Sequence, residues 1–128
     1  MTNRELIDLA IKAREKAYTP YSNFKVGAAL KTKDGKVYLG CNIENAAYSM
    51  TNCAERTAFF KAVSEGEREF ESIAVVGGLD KLVLCPPCGA CREVMNEFCD
   101  KDFKIILFDG EKEVIYTLEE LLPLGFKL

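Results

Sequence analysis

Apolar residues along the chain follow two spacings, one helical and one with the two-residue period of extended backbone, and their order predicts the fold. Leu6, Leu9, Ala10, Ala13 and Ala17 share one face of a helix that the capping-box pair Thr2 and Glu5 opens and Thr19-Pro20 stops. Phe24, Val26, Ala28 and Leu30 then alternate with polar or small residues. Asp34-Gly35 marks a turn, and Val37 to Ile43 returns extended, which makes a β-hairpin. Asn45 to Asn52 has no sustained period. Ala54, Ala58 and Ala62 line one side of a second helix ending near Gly66, so Cys53 and Glu55 stand at its beginning. Ile73 to Val76 reads as a buried strand closed by Gly77-Gly78. A third helix opens after Pro86-Pro87 with Val94, Met95 and Phe98 inward, proline being favoured at a helix start because its missing amide would lack a partner there. Ile105 to Phe108 is another buried strand, and the short connection Asp109 to Lys112 requires Val114-Ile115-Tyr116 to return antiparallel. Thr117 and Glu120 repeat the capping-box pattern before a last short helix that breaks at Pro123. The order αββαβαββα predicts a three-layer α/β/α fold, a mixed five-stranded sheet covered by helices on both faces.

With 128 residues, 48% of them hydrophobic, the chain suits one domain spanning residues 1–128, and no repeat or linker divides it. Lysine and arginine number 17 against 20 aspartate and glutamate, a net charge of −3, and the cations are scattered, which argues against a nucleic-acid partner. The N-terminal residues lack a charged region followed by a long apolar run, and no stretch reaches bilayer-spanning length, so no membrane partner and a cytoplasmic location are expected.

Six cysteines and no histidine change the picture. Without a secretory signal, a disulfide framework gives way to reduced thiols or metal. Cys88 and Cys91 stand one helical turn apart and Cys53 opens another helix, a set of three thiolates suited to one zinc ion per chain. Three protein ligands leave the fourth tetrahedral position open for water, the mark of catalytic zinc. Both clusters fall at helix N-termini, where unpaired amides and the helix dipole favour thiolate over thiol. Cys85 creates a second CxxC unit, which would allow a four-cysteine structural zinc or an iron–sulfur cluster. It precedes the two prolines, however, and with Cys41 and Cys99 it reads as a small buried hydrophobe. Glu55, two positions after Cys53, is the candidate general acid and base. Arg56 is the candidate donor to the ligand sulfurs, offsetting the net negative charge of three thiolates around a divalent ion.

With Cys53-Ala54-Glu55 and Pro87-Cys88-Gly89-Ala90-Cys91 in place, the sequence resembles the zinc-dependent deaminases that act on cytosine and adenine. More specifically, it resembles the small homotetrameric cytidine deaminases of pyrimidine salvage. The runs Tyr21 to Ala29, Asn42 to Ser49, Thr51 to Ala58 and Leu121-Leu122-Pro123 carry the likeness over essentially the whole chain. The resemblance implies hydrolytic deamination of cytidine, and of deoxycytidine, with zinc as the only cofactor. It also implies that Asn42 and Glu44 bind the ribose, Phe24 packs on the base, Asn45 steadies that loop, the Ala54 amide meets the base carbonyl and Glu55 reaches N3. Phe126 would cover a neighbouring subunit's pocket in a tetramer with shared active sites, and Tyr48 would serve the subunit contact. Two positions depart from the family pattern. Pro86 replaces a common serine, leaving only its carbonyl to accept a hydrogen bond from the leaving amine, and Glu93 replaces a common glutamine. The competing readings are a deaminase of another cytosine nucleoside, such as blasticidin S, and a noncatalytic zinc-stabilised binding module.

Overall fold

Strand β1 (Lys25–Thr32) is apolar on both sides, because Val26, Ala28 and Leu30 point to one face and Gly27 and Ala29 to the other, and all five are buried. A strand of that kind belongs inside a sheet covered twice. In a computed structural model describing residues Met1–Leu128, β1 pairs antiparallel with β2 (Val37–Cys41) and β3 (Phe70–Gly78). The path continues through β5 (Lys104–Phe108), parallel to β3, and β6 (Glu113–Thr117), antiparallel to β5, in the order β2-β1-β3-β5-β6.

Helix α1 (Asn3–Arg14) covers one face, where Leu6, Ile7 and Ala10 meet Ala29, Ala74, Val76, Ile106 and Phe108. Its Thr2 and Glu5 form the reciprocal capping box. Helices α2 (Ala54–Ser64), α3 (Gly89–Phe98) and α4 (Leu118–Leu121) cover the other face around Phe59, Phe70, Met95, Phe103, Ile105 and Leu107. The small residues on β1 and β2 set how closely the layers approach. A Cβ on Gly27 would lie 2.0 Å from the Ala10 carbonyl oxygen, and one on Gly40 would lie 2.4 Å from that of Ala54. Gly27→Ala should therefore push α1 off the sheet and cost about 3 kcal/mol or more, read as a lowered denaturation midpoint.

The structure has six strands rather than the expected five. The sixth, β4 (Leu82–Val83), folds back on Gly77 and Gly78, and two residues are too short to show a period. Helix α1 stops at Arg14, short of Ala17, because the chain must turn extended for Tyr18, whose amide donates to Asn42 O at 3.0 Å and whose carbonyl accepts from Glu44 N at 2.8 Å. Pro86 and Pro87 lie just outside α3, since its cap is Cys88.

Candidate metal centre and catalytic site

Helices α2 and α3 precede the parallel strands β3 and β5 and run back against them, so both N-termini arrive at the same end of the sheet. Cys53 caps α2, Cys88 caps α3, and Cys91 lies in the first turn of α3. Neither capping thiol accepts a hydrogen bond from a backbone amide of its own helix, which leaves the first amides unpaired by a cap. The three Sγ atoms lie within 4.8 Å of one another, with Cys53 and Cys88 3.7 Å apart. Tetrahedral zinc with bonds of about 2.3 Å needs sulfurs about 3.8 Å apart, whereas a disulfide needs about 2.05 Å. The donor set fits zinc.

A hydrogen bond from Cys91, with help from Arg56, lowers the Cys53 thiol to about 5. The same bond, together with burial, holds Cys91 above the ordinary thiol range. The pair thus retains a proton that a divalent cation displaces on binding. Arg56 donates through Nη2 to Cys53 Sγ at 3.2 Å, and that bond keeps its guanidinium firmly charged. Its Nε is buried without a partner and it joins no carboxylate, so its charge serves the sulfur cluster. Glu55, only 4% exposed, is pushed up to about 7, chiefly by burial and further by the charge on Cys53.

The remaining cysteines stay outside the cluster. Burial raises the Cys85 thiol to about 11 and lifts Cys99 higher still. Cys99 is buried as expected, while Cys41 and Cys85 are only half-buried. Cys85 and the Phe24 ring both press on Gly77, where an added Cβ would lie 2.9 Å from Cys85 Sγ and 3.1 Å from the ring.

Hydrogen bonds tie Asn42 to Phe24, and main-chain pairing of Ile43 ties the Asn42–Glu44 segment to the residue before Cys53. Ile43 exchanges two 3.0 Å backbone bonds with Asn52, the residue before Cys53. Asn42 Oδ1 accepts from Val26 N at 2.9 Å and its Nδ2 donates to Phe24 O at 2.8 Å, tying it to the start of β1. Asn45 Oδ1 accepts from Ala47 N at 2.9 Å and its own amide donates to Thr51 Oγ1, an arrangement that fastens the loop. Tyr21, Ser22, Glu44, Asn45, Tyr48 and Thr51 line a cleft of about 270 Å³. The largest cavity, about 590 Å³, lies at the other end of the sheet beside Lys31, Ser72 and Lys104, away from every thiol of the cluster.

Phe126 stands apart from these residues. Its carbonyl accepts from Asn96 Nδ2 at 2.8 Å, about 7.5 Å along α3 beyond Cys91, and its residue is 70% exposed. Tyr48 is likewise exposed, at 79%. The Pro86 carbonyl accepts no hydrogen bond within the chain. Glu93 is exposed and makes no ion pair, and nothing in the structure explains the change from glutamine.

Two contributors carry no spacing signal. Arg92 donates to Pro87 O and to Leu121 O, each at 2.8 Å, joining the ligand loop to the segment before the tail. Ser22 bonds to Glu44 and to Phe24; its only trace in the sequence is its place within the run Tyr21 to Ala29.

Residues 1–107 match the family model described as the cytidine and deoxycytidylate deaminase zinc-binding region. The chain is 56% identical to a cytidine deaminase of Halalkalibacterium halodurans over 98% of its own length and 95% of the relative's. It is 54% identical to one of Sporosarcina psychrophila over 98% and 92%. The crystal structure of a cytidine deaminase from Burkholderia pseudomallei superposes with a TM-score of 0.90 at 51% identity, covering 98% of this chain and 100% of that one.

Proposed function

The chain belongs to the cytidine and deoxycytidylate deaminase family, and from that membership we propose that Glu55 carries the proton transfers of a site built from Cys53, Cys88 and Cys91 around zinc. The activity is zinc-dependent hydrolytic deamination of cytidine to uridine with release of ammonia. The observation that carries this assignment of roles is a buried carboxyl, near neutral in pKa, two residues from one of three converging thiols.

Zinc, when bound, supplies Lewis acidity that brings a water toward a pKa of roughly 7. Glu55 takes one proton from the water that attacks C4 and delivers it to N3 of the pyrimidine, then takes the second from the new C4 hydroxyl and gives it to the amine, which leaves as ammonia when the C4–N bond breaks. A carboxyl near 7 can both accept and give a proton at neutral pH, which one group serving several steps requires. Arg56 holds the Cys53 sulfur and offsets the excess negative charge of the three thiolates. Phe24 packs on the base, the Ala54 amide meets the base carbonyl, Asn42 and Glu44 bind the ribose, and Asn45 steadies their loop. The Pro86 carbonyl, free of other bonds, accepts from the leaving amine. Deoxycytidine is a second substrate.

Ammonia release from cytidine, compared with blasticidin S, tests the activity. Turnover of cytidine and not of the antibiotic is expected, and no ammonia from either would sink the assignment. A noncatalytic module is not favoured, because it would have no use for a carboxyl buried at this cost.

Residues 1–128 form one deaminase domain, a reading supported by two apolar clusters packed on opposite faces of one sheet. No helix is long and apolar enough to cross a membrane. The six free thiols suit the reducing cytoplasm. The assembly is a homotetramer in which Phe126 covers a partner's pocket. The exposure of Phe126, Leu124, Tyr48 and Met50, too much apolar surface to leave in water, supports this. Deleting Phe126 to Leu128 should raise KM more than it lowers thermal stability. A fully active monomer in sedimentation would end the shared-site reading.

A further inference from the structure

Glu44 is held in place before any nucleoside arrives. Its Oε1 accepts from Tyr21 N at 3.0 Å and Ser22 N at 3.2 Å, and its Oε2 accepts from Ser22 Oγ. An ionised carboxylate offers about four acceptor positions. Three are taken, so one on Oε2 remains for a ligand hydroxyl. Ser22 Oγ in turn accepts from Phe24 N at 3.0 Å. One hydroxyl therefore spans the residue assigned to the ribose and the residue assigned to the base. The intervening Asn23 adopts a left-handed φ of 59°, a conformation asparagine tolerates and one that folds Ser22 back toward Phe24. Ser22, Glu44 and their bonds border the cleft of about 270 Å³, where a sugar would lie.

We propose that Ser22 is a positioning residue for the deamination, fixing Glu44 Oε2 against Phe24 so that the enzyme distinguishes nucleosides by their sugar hydroxyls. The proposal rests on the ribose role of Glu44 given above. Without the Ser22 hydroxyl, Oε2 loses its charge-assisted donor and the Phe24 amide loses its acceptor. The carboxylate is then free to rotate about its remaining bonds to Oε1, and the single lone pair aimed at the ribose is no longer fixed.

The test measures kcat and KM for cytidine and for 2′,3′-dideoxycytidine, which lacks both hydroxyls, in the wild type, Ser22→Ala, Ser22→Thr and Glu44→Gln. A hydrogen bond to a charged group is worth about tenfold or more. Ser22→Ala should therefore raise KM for cytidine about tenfold, move kcat less than about threefold, and cut the cytidine preference about tenfold. Ser22→Thr, which keeps the hydroxyl, should restore the preference. Thermal midpoints measured in parallel identify a folding defect, which would depress both substrates alike. An equal loss on both substrates, or no loss on either, overturns the positioning role if Glu44→Gln still collapses the preference. A preference unchanged in Glu44→Gln instead removes the ribose role of Glu44 and the proposal with it.

Discussion

Glu55→Gln is expected to abolish turnover, by about 10⁴-fold or more, while the protein folds, binds zinc and still binds nucleoside. A general acid or base typically contributes about 10² to 10⁴, and Glu55 is assigned the relay of two protons rather than a single transfer. The amide keeps the volume of the side chain and removes its capacity to take up and release a proton. Stability should move in the opposite direction from activity. Burial raises the Glu55 carboxyl from 4.5 to about 7, so between those values the folded state keeps a proton that the unfolded chain has released. In metal-free protein, the stability due to this group therefore falls as pH rises through that window, and the full cost is present above about 7. A neutral amide at this position carries no such cost, so the variant should melt no lower than wild type at pH 8. A kcat loss of less than about tenfold would remove Glu55 from the mechanism, because that lies below the range for a single transfer.

Cys53→Ala, Cys88→Ala and Cys91→Ala should each lose zinc and all measurable activity, whereas Cys41→Ala, Cys85→Ala and Cys99→Ala should keep both. The separation follows from geometry. Three sulfurs lie within 4.8 Å of one another, while Cys85, closest of the others in sequence to that group, is a thiol raised to about 11 by burial and packed against Gly77. Removing one of three ligands leaves two thiolates and a charged guanidinium without the ion they were assembled to hold. Elemental analysis of purified variants is the measurement, and a full complement of zinc in Cys88→Ala would contradict the ligand set. Cys99→Ala should lower stability through lost core packing without changing metal content, so the two readouts separate packing from ligation.

Local rules account for what could be read from the chain directly. The capping pairs at Thr2 and Thr117 formed as their spacing requires, because a cap involves residues three positions apart. The alanine stripe Ala54, Ala58 and Ala62 lies buried on α2, and Cys53, Glu55, Cys88 and Cys91 stand at the two helix starts where the motifs put them. The short-range signal was weaker where tertiary pairing competes with it. Tyr18 left the helical pattern to bond with Asn42 and Glu44, and β4 exists only because Gly77 and Gly78 present an edge to it.

Residue identity and spacings of a turn or less were enough to specify the element types apart from β4, the zinc chemistry of three thiols in a chain without histidine, and the carboxyl proposed to move protons beside them. How Cys53 is brought to Cys88 and Cys91 was decided by the packed fold, because their convergence depends on β3 and β5 lying parallel and drawing two helix N-termini to one end of the sheet. The same packing buries Glu55 deeply enough to titrate near 7, and lets Ser22 rather than any spaced motif tie Glu44 to Phe24. Burial and long-range hydrogen bonds are properties of the packed chain, and no local pattern encodes them.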